Sequence, residues 1–323
     1  MIKELLKKTF VYTIYKKNKA AKIQKRLKGT HVFESRSKNS ETLVLVLAGY
    51  KEFCMDVVFE RIKKFAPVDA DVCIVSSGLY SEKLSKYADL NNWSYISCKR
   101  NNVCSALNIC INEFKSAKKI FKIDEDIFIT KNFFNSLLKV YDDCQKENSL
   151  YQPTFVAPMI PINGFGHVYI LKRLGLVEKY ENLFESVRMQ AGPHRQIENN
   201  PDVAKFMWGE KEFVPQIDDL DRLLASDEFS YITCPIKFSI GAILFDRDTW
   251  KNLMYFIPGT DPSMGLDETQ LCQYAMLESK PIIVSQNTCV GHLSFGRQNA
   301  EMKKYFLEHR DIFEIKNKTK ENA

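Results

Sequence analysis

Asp124, Glu125 and Asp126 follow one another inside a mostly apolar stretch that runs from Lys119 to Ile129. Three adjacent carboxylates repel one another, and burying them without a partner is costly. Two arrangements would satisfy them. One is a divalent cation, since Mg²⁺ is typically held by one or two carboxylates together with substrate phosphates. The other is an acidic turn in water. A second acidic pair, Asp267-Glu268, stands at the head of a helical pattern after Gly265-Leu266. Acids in a first helical turn also favour the positive end of the helix dipole, so capping is one reading of that pair.

The elements around the triad decide what it can reach. Leu43 to Leu47 is a short apolar run ending at Ala48-Gly49, the pattern of a buried parallel strand. Over 52–65, Phe53, Val57, Val58, Ile62 and Phe65 recur at helical spacing. A second strand over Val72 to Val75 ends at Ser76-Ser77-Gly78. A helix over 80–90, a third strand over 93–96, a helix over 103–116 and a strand over 120–123 complete the series. That alternation predicts an α/β fold with a doubly wound, mostly parallel sheet and helices on both faces. Ligands of such sheets bind outside the carboxyl ends of the strands, which is where the triad lies.

Residues 151–235 differ in texture, with Pro153, Pro158, Pro161, Gly164, Gly166, Gly192, Pro193 and the acidic cluster Asp218-Asp219-Leu220-Asp221. They read as a long insertion of short helices that could grip a second substrate. Residues 236–256 return to strand then helix, followed by a helix over 269–278 and a strand over 281–284. The expected organisation is an arm over 1–40, one domain over 41–300 with halves at 41–130 and 236–300, and a charged amphipathic tail over 301–323.

Composition narrows the class. The chain has 323 residues, 45% hydrophobic and 27% charged, as in an ordinary globular protein. The net charge of +6 is unevenly spread: the arm over 1–29 has ten Lys/Arg and one Glu, or +9, and the rest of the chain is close to neutral at −3. In the arm, Ile2, Leu5, Leu6, Phe10 and Ile14 share one face of a possible basic amphipathic helix. Such a helix could lie on an anionic membrane surface or pack on the body. Lys7, Lys8, Lys16 and Lys17 interrupt any signal-peptide core. The body carries no basic groove, which argues against nucleic acid. Nine cysteines without a Cys-x-x-Cys pair fit a reducing compartment better than a disulfide framework or a zinc site.

Three stretches resemble the GT-A-fold, nucleotide-sugar-dependent glycosyltransferases, and among them the large family 2 of inverting enzymes. They are the strand Leu43 to Lys51, the helix start Asn101-Asn102-Val-Cys-Ser-Ala-Leu-Asn108, and Lys122-Ile-Asp124-Glu125-Asp126, which resembles the metal-binding DXD motif. The resemblance spans about residues 42–295. It implies a Mn²⁺ or Mg²⁺ ion at Asp126 and Asp124 that bridges the donor's diphosphate, with Asp126 the direct ligand and Asp124 turned to the ribose or a metal-bound water. Glu125, on the alternate face, is expected to point away. The resemblance further implies His292 as a third metal or phosphate ligand and Arg297 as a diphosphate contact. Glu268 is the expected base that takes the acceptor hydroxyl's proton, with Asp267 as its rival.

Donor contacts are implied at Ala48, Gly49, Tyr50 and Ser77, and at Asn102 and Asn108. Ser76-Ser77-Gly78 replaces the acid that the family often carries after its second strand. Lys99 and Arg100 are candidate phosphate neighbours or a solvated edge. Residues 157–164 are candidate acceptor contacts, and Trp208 a candidate sugar platform or a core residue. His167 and His194 have no assignable partner. The expectation is a glycosyltransferase using a nucleoside-diphosphate sugar, a UDP-sugar foremost. It would act on a glycan or lipid-linked acceptor in surface polysaccharide synthesis, peripherally on the cytoplasmic face of the plasma membrane. A retaining enzyme, a nucleotidyltransferase on a similar sheet and a non-catalytic carbohydrate-binding module are the alternatives.

Overall fold

Leu43, Val44, Leu45 and Val46 carry no polar side chain, so a strand built from them needs cover on both faces, and all four are fully buried. The computed structural model of the chain describes residues 30–190, 195–258 and 266–315, with positions 14 and 18. The basic arm over 1–29 apart from positions 14 and 18, together with Gly192, Pro193, His194 and the end of the tail, therefore lies outside the described residues.

The described strands are β1 (His31–Glu34), β2 (Thr42–Leu47), β3 (Asp71–Ser77), β4 (Ser94–Cys98), β5 (Lys119–Asp124), β6 (Ile127–Phe128), β7 (Phe155–Met159), β8 (Tyr231–Cys234), β9 (Ala242–Asp246), β10 (Ile282–Cys289) and β11 (Gly291–His292). Nine of them form one sheet in the order β1-β4-β3-β2-β5-β9-β7-β10-β8. Strands β4, β3, β2 and β5 run parallel to one another, as do β7 and β10. Strands β1, β9 and β8 run against their neighbours. The expected mostly parallel α/β sheet is present, with carboxyl ends of β2, β3 and β5 side by side.

Three boundaries differ from the expectation. The arm does not reach residue 40, because His31–Glu34 pairs with β4 at the sheet edge. The segment 151–235 is not simply an insertion: its first and last strands, β7 and β8, belong to the central sheet. Pro158 disguised β7, since a proline lacks the N–H that an interior strand donates. It is accommodated because β7 meets β9 only at Val156–Leu244, while β10 opposite shifts register between Val284 and Cys289. The packed core does not stop at residue 300 but runs into the tail. The helix Asn299–Glu308 buries Met302, Tyr305 and Phe306, and Phe313 is fully buried after it. Each such side chain contributes roughly 1.5–3 kcal/mol of burial.

Buried Arg61 fastens this tail. Its guanidinium donates to Phe313 O at 2.9 Å, to Ile129 O at 3.1 Å and to both Asp218 carboxylate oxygens at 2.8 and 2.9 Å. Asp221, also buried, accepts from Thr288 Oγ1 at 2.7 Å and Asn132 Nδ2 at 2.9 Å. Asp218 and Asp221 of the acidic cluster are thus structural.

Candidate active site

The β6–β11 ribbon assembles the site. Ile127 pairs with His292 and Phe128 with Gly291, and Leu293 N donates to Asp126 O at 3.0 Å. Residues far apart in the chain are so brought edge to edge: His292 Nε2 lies 3.3 Å from Asp126 Oδ2. Trp208 props this ribbon from below. Its Nε1 donates to His292 O at 3.1 Å, and its ring lies so close to Gly291 that an added Cβ would fall 2.1 Å from Cη2. Only glycine permits that approach. Trp208 is therefore a core residue, not a sugar platform, and the Phe295 ring packs edge-on to the His292 imidazole at 4.5 Å.

Asp126 is 3% exposed and has two neighbours at Oδ2, the His292 ring and Lys51, whose Nζ lies 2.5 Å away. Burial alone would raise its pKa, but His292 and Lys51 outweigh burial and hold the carboxyl well below the usual range. Lys51 is affected in turn: burial pulls its ammonium down, and Asp126 more than offsets this. Asp124 is held differently. Lys122, buried in β5, donates to Asp124 Oδ1 at 2.6 Å and to Ile240 O at 3.0 Å. Desolvation still pushes the Asp124 carboxyl up to about 6.

Glu125 was expected to point away, but it lies in the turn after β5, beyond the reach of strand alternation, and lines the same cavity as Asp124 and Asp126. Its Oε2 accepts from Gly49 N at 2.7 Å and Tyr50 N at 2.8 Å. Gly49 has φ +139°, a backbone that side-chain-bearing residues rarely adopt. The Tyr50 hydroxyl donates to Ser77 O at 2.5 Å, joining the loops after β2 and β3. Ala48, Tyr50, Ser77, Lys51, Lys122 and the whole acidic triad line one cavity of about 460 Å³.

Asp267 and Glu268 close the far wall of that cavity. Glu268 pairs with Lys237, Nζ to Oε1 2.5 Å, and the two also border a second cavity of about 620 Å³. Asp267 is 6% exposed and borders only the first. Both acids occupy the first turn of the helix Asp267–Leu277, so a dipole contribution accompanies any chemical one. Arg297 is exposed and lines the second cavity, not the one with the triad, as does Asn163 from the 157–164 segment.

Like Arg297, Gly49 is absent from the lining of the first cavity, and two further expected donor contacts, Asn102 and Asn108, are elsewhere. Asn102 is 1% exposed and caps the helix Val103–Glu113, its Oδ1 accepting from Ser105 N at 2.9 Å. Asn108 is fully buried: it donates to Phe256 O at 2.7 Å and accepts from Trp250 Nε1 at 2.9 Å and Phe256 N at 3.0 Å. Both stabilise the frame, and neither lines the cavity. Lys99 and Arg100 are exposed outside it. His167 is buried behind the second cavity, Nδ1 2.9 Å from Asn163 O.

Lys51, Lys122 and Lys237 are cavity-lining side chains, each paired with an acid, that sequence reasoning missed. Lys122 was legible, because a strand period of two places it on the same face as Asp124. The pairings of Lys51 and Lys237 cross between distant elements, so local spacing carries no trace of them.

The Asp126–His292 pair fits a divalent ion. Adjacent ligands of an octahedral ion with bonds of about 2.1 Å are about 3 Å apart, close to their observed separation, and carboxylate oxygen suits Mg²⁺ and Mn²⁺. Among the described residues no three His, Cys, Asp or Glu side chains converge on one point, so further ligands would be phosphate oxygens and water.

No protein-family model and no curated protein sequence matches the chain. Among solved structures it is similar to GalNAc-T7 with UDP, GalNAc and Mn²⁺, at 14% identity and TM-score 0.46, over 81% of this chain and 45% of that one. It is also similar to the mannosyltransferase PcManGT from Pyrobaculum calidifontis in complex with GDP-Man and Mn²⁺, at 11% identity and TM-score 0.47, over 90% of this chain and 69% of that one. The chain thus spans less than half the length of the GalNAc-T7 chain.

Proposed function

We propose that the chain is a metal-dependent glycosyltransferase. It moves a sugar from a nucleoside-diphosphate sugar to a hydroxyl of a glycan or lipid-linked acceptor, with inversion at the anomeric carbon. One observation carries this reading: Asp126, backed by His292, and Glu268 face the same cavity, at the carboxyl ends of β2, β3 and β5. Its volume of about 460 Å³ suits a nucleotide-sized ligand.

Asp126 and His292 would hold Mn²⁺ or Mg²⁺, which when bound stabilises the charge that builds on a departing diphosphate. The chain's own residues do the rest. Tyr50, Ala48 and Ser77 shape the wall that receives the nucleoside, and Glu125 fixes that wall by its two backbone bonds. Lys51 offers a cation to the phosphates. Glu268 takes the proton of the acceptor hydroxyl, whose oxygen bonds to the anomeric carbon as the bond from that carbon to phosphate oxygen breaks. The nucleoside diphosphate leaves with the bonding pair. Lys237 anchors Glu268 at the boundary of the two cavities, which makes the 620 Å³ cavity with Asn163 and Arg297 the acceptor side.

Screening UDP-, GDP- and CMP-sugars by thermal shift, with and without Mn²⁺, tests the reading. One nucleoside-diphosphate sugar should stabilise the protein only with Mn²⁺ and be turned over to the nucleoside diphosphate. No stabilisation by any of them would contradict it, and release of pyrophosphate would mark a nucleotidyltransferase instead. NMR of the product anomer distinguishes inversion from retention. The acceptor is read as a surface polysaccharide and the arm over 1–29 as an anchor on the cytoplasmic face of the membrane. Only the arm's basic, amphipathic sequence supports this. Deleting residues 1–29 should weaken binding to anionic liposomes; equal binding by both forms would dispose of the anchor.

A further inference from the structure

Lys51 and His292 meet the same oxygen of Asp126: Nζ is 2.5 Å and Nε2 3.3 Å from Oδ2. An ammonium at that distance takes the place beside the carboxylate that a divalent ion would need, and two cations cannot share it. Lys51 is also poised to leave. It sits on the loop after β2, its side chain is 27% exposed, and it lines the cavity. The loop itself stays put when the side chain moves, because Gly49 N and Tyr50 N are bound by Glu125. The middle acid of the triad holds the backbone, and the third acid holds the side chain.

We infer that Lys51 is a built-in counter-ion that closes Asp126 in the resting protein and is released to the donor's diphosphate when a divalent cation takes that carboxylate. This rests on the metal-site reading of Asp126 above. The consequence is coupling. Without nucleotide, cation binding must break the Lys51–Asp126 ion pair and strand the ammonium in a partly buried cavity. With a diphosphate present, the displaced ammonium gains a new partner. Cation and nucleotide therefore bind better together than apart, and Lys51 is the positioning residue that links them.

Calorimetric titration of Mn²⁺ alone, and of Mn²⁺ with UDP or GDP present, into the full chain tests this. For Lys51→Met, Mn²⁺ alone should bind about tenfold tighter than to the unaltered protein, the scale of one charge-assisted hydrogen bond. The gain in Mn²⁺ affinity that the nucleotide gives should shrink. Lys51→Arg should keep the weak Mn²⁺ binding of the original, which separates charge from shape and shows that the loop tolerates substitution. Mn²⁺ affinity unchanged or weaker in Lys51→Met would overturn the inference. Asp126→Asn distinguishes the two claims: if it abolishes Mn²⁺ binding while Lys51→Met changes nothing, the metal site stands and the counter-ion role falls. Mn²⁺ binding that survives Asp126→Asn defeats both.

Discussion

Glu268 and Asp267 are neighbours in sequence but not equivalents in space. Glu268 borders both cavities and is held by Lys237, whereas Asp267 is nearly buried and borders one. On this account Glu268→Gln keeps the shape and loses the base, so kcat falls about 10²- to 10⁴-fold with little change in donor affinity. Steady-state kinetics of Glu268→Gln beside Asp267→Asn checks this; a larger loss in Asp267→Asn would exchange their roles. The sequence singled out Asp124, Asp126, Glu268 and His292 by local patterns and the resemblance they carry, and the structure puts the first three on one cavity with His292 beside Asp126. Asn108 was misread for the opposite reason. Its neighbours in the helix resemble a donor-binding motif, yet its partners Trp250 and Phe256 are about 150 residues away and local spacing cannot show them.

The β6–β11 ribbon is the element on which the proposed metal site depends, and Trp208 is what it rests on. That indole is wedged among Gly291, Phe128 at 5.4 Å and Phe313 at 4.5 Å, so it has no room to retreat. Gly291→Ala should cost about 1–3 kcal/mol of stability through overpacking and weaken Mn²⁺ binding by displacing His292. Urea unfolding followed by Mn²⁺ titration measures both, and an unchanged unfolding midpoint would refute the wedge. Strands β2 to β5 were readable because their apolar runs and intervening helices follow simple periods. Strands β1, β7 and β8 were not: β1 is a short edge strand of mixed polarity, β7 contains Pro158, and β8 is half exposed.

At the scale of the molecule, one core runs from the sheet to the tail, and buried polar groups stake out its edges. His167 is fully buried against Asn163, Arg195 and the Tyr180 ring. Burial, with Arg195 nearby, pulls its pKa down to about 4, below the ordinary value near 6.5. The unfolded chain therefore binds the proton first as pH falls. The stability that neutral His167 provides is complete above pH about 6.5 and is lost as pH drops toward 4, amounting to about 2 kcal/mol lost by pH 5. Urea unfolding at pH 7 and pH 5 should show this loss in the unaltered protein and less of it in His167→Gln; equal losses would refute the assignment. The tail over 301–323 was read as charged and amphipathic, and over its described residues, 301–315, the structure shows that Met302, Tyr305, Phe306 and Phe313 form the apolar side that meets the core. The central claim is that a divalent cation at Asp126 serves a bound nucleotide-sugar. Asp126→Ala, assayed for Mn²⁺-dependent thermal stabilisation by the best nucleoside-diphosphate sugar, tests it most directly. The account predicts that the stabilisation disappears while the protein still unfolds cooperatively; an undiminished Mn²⁺-dependent shift would contradict it.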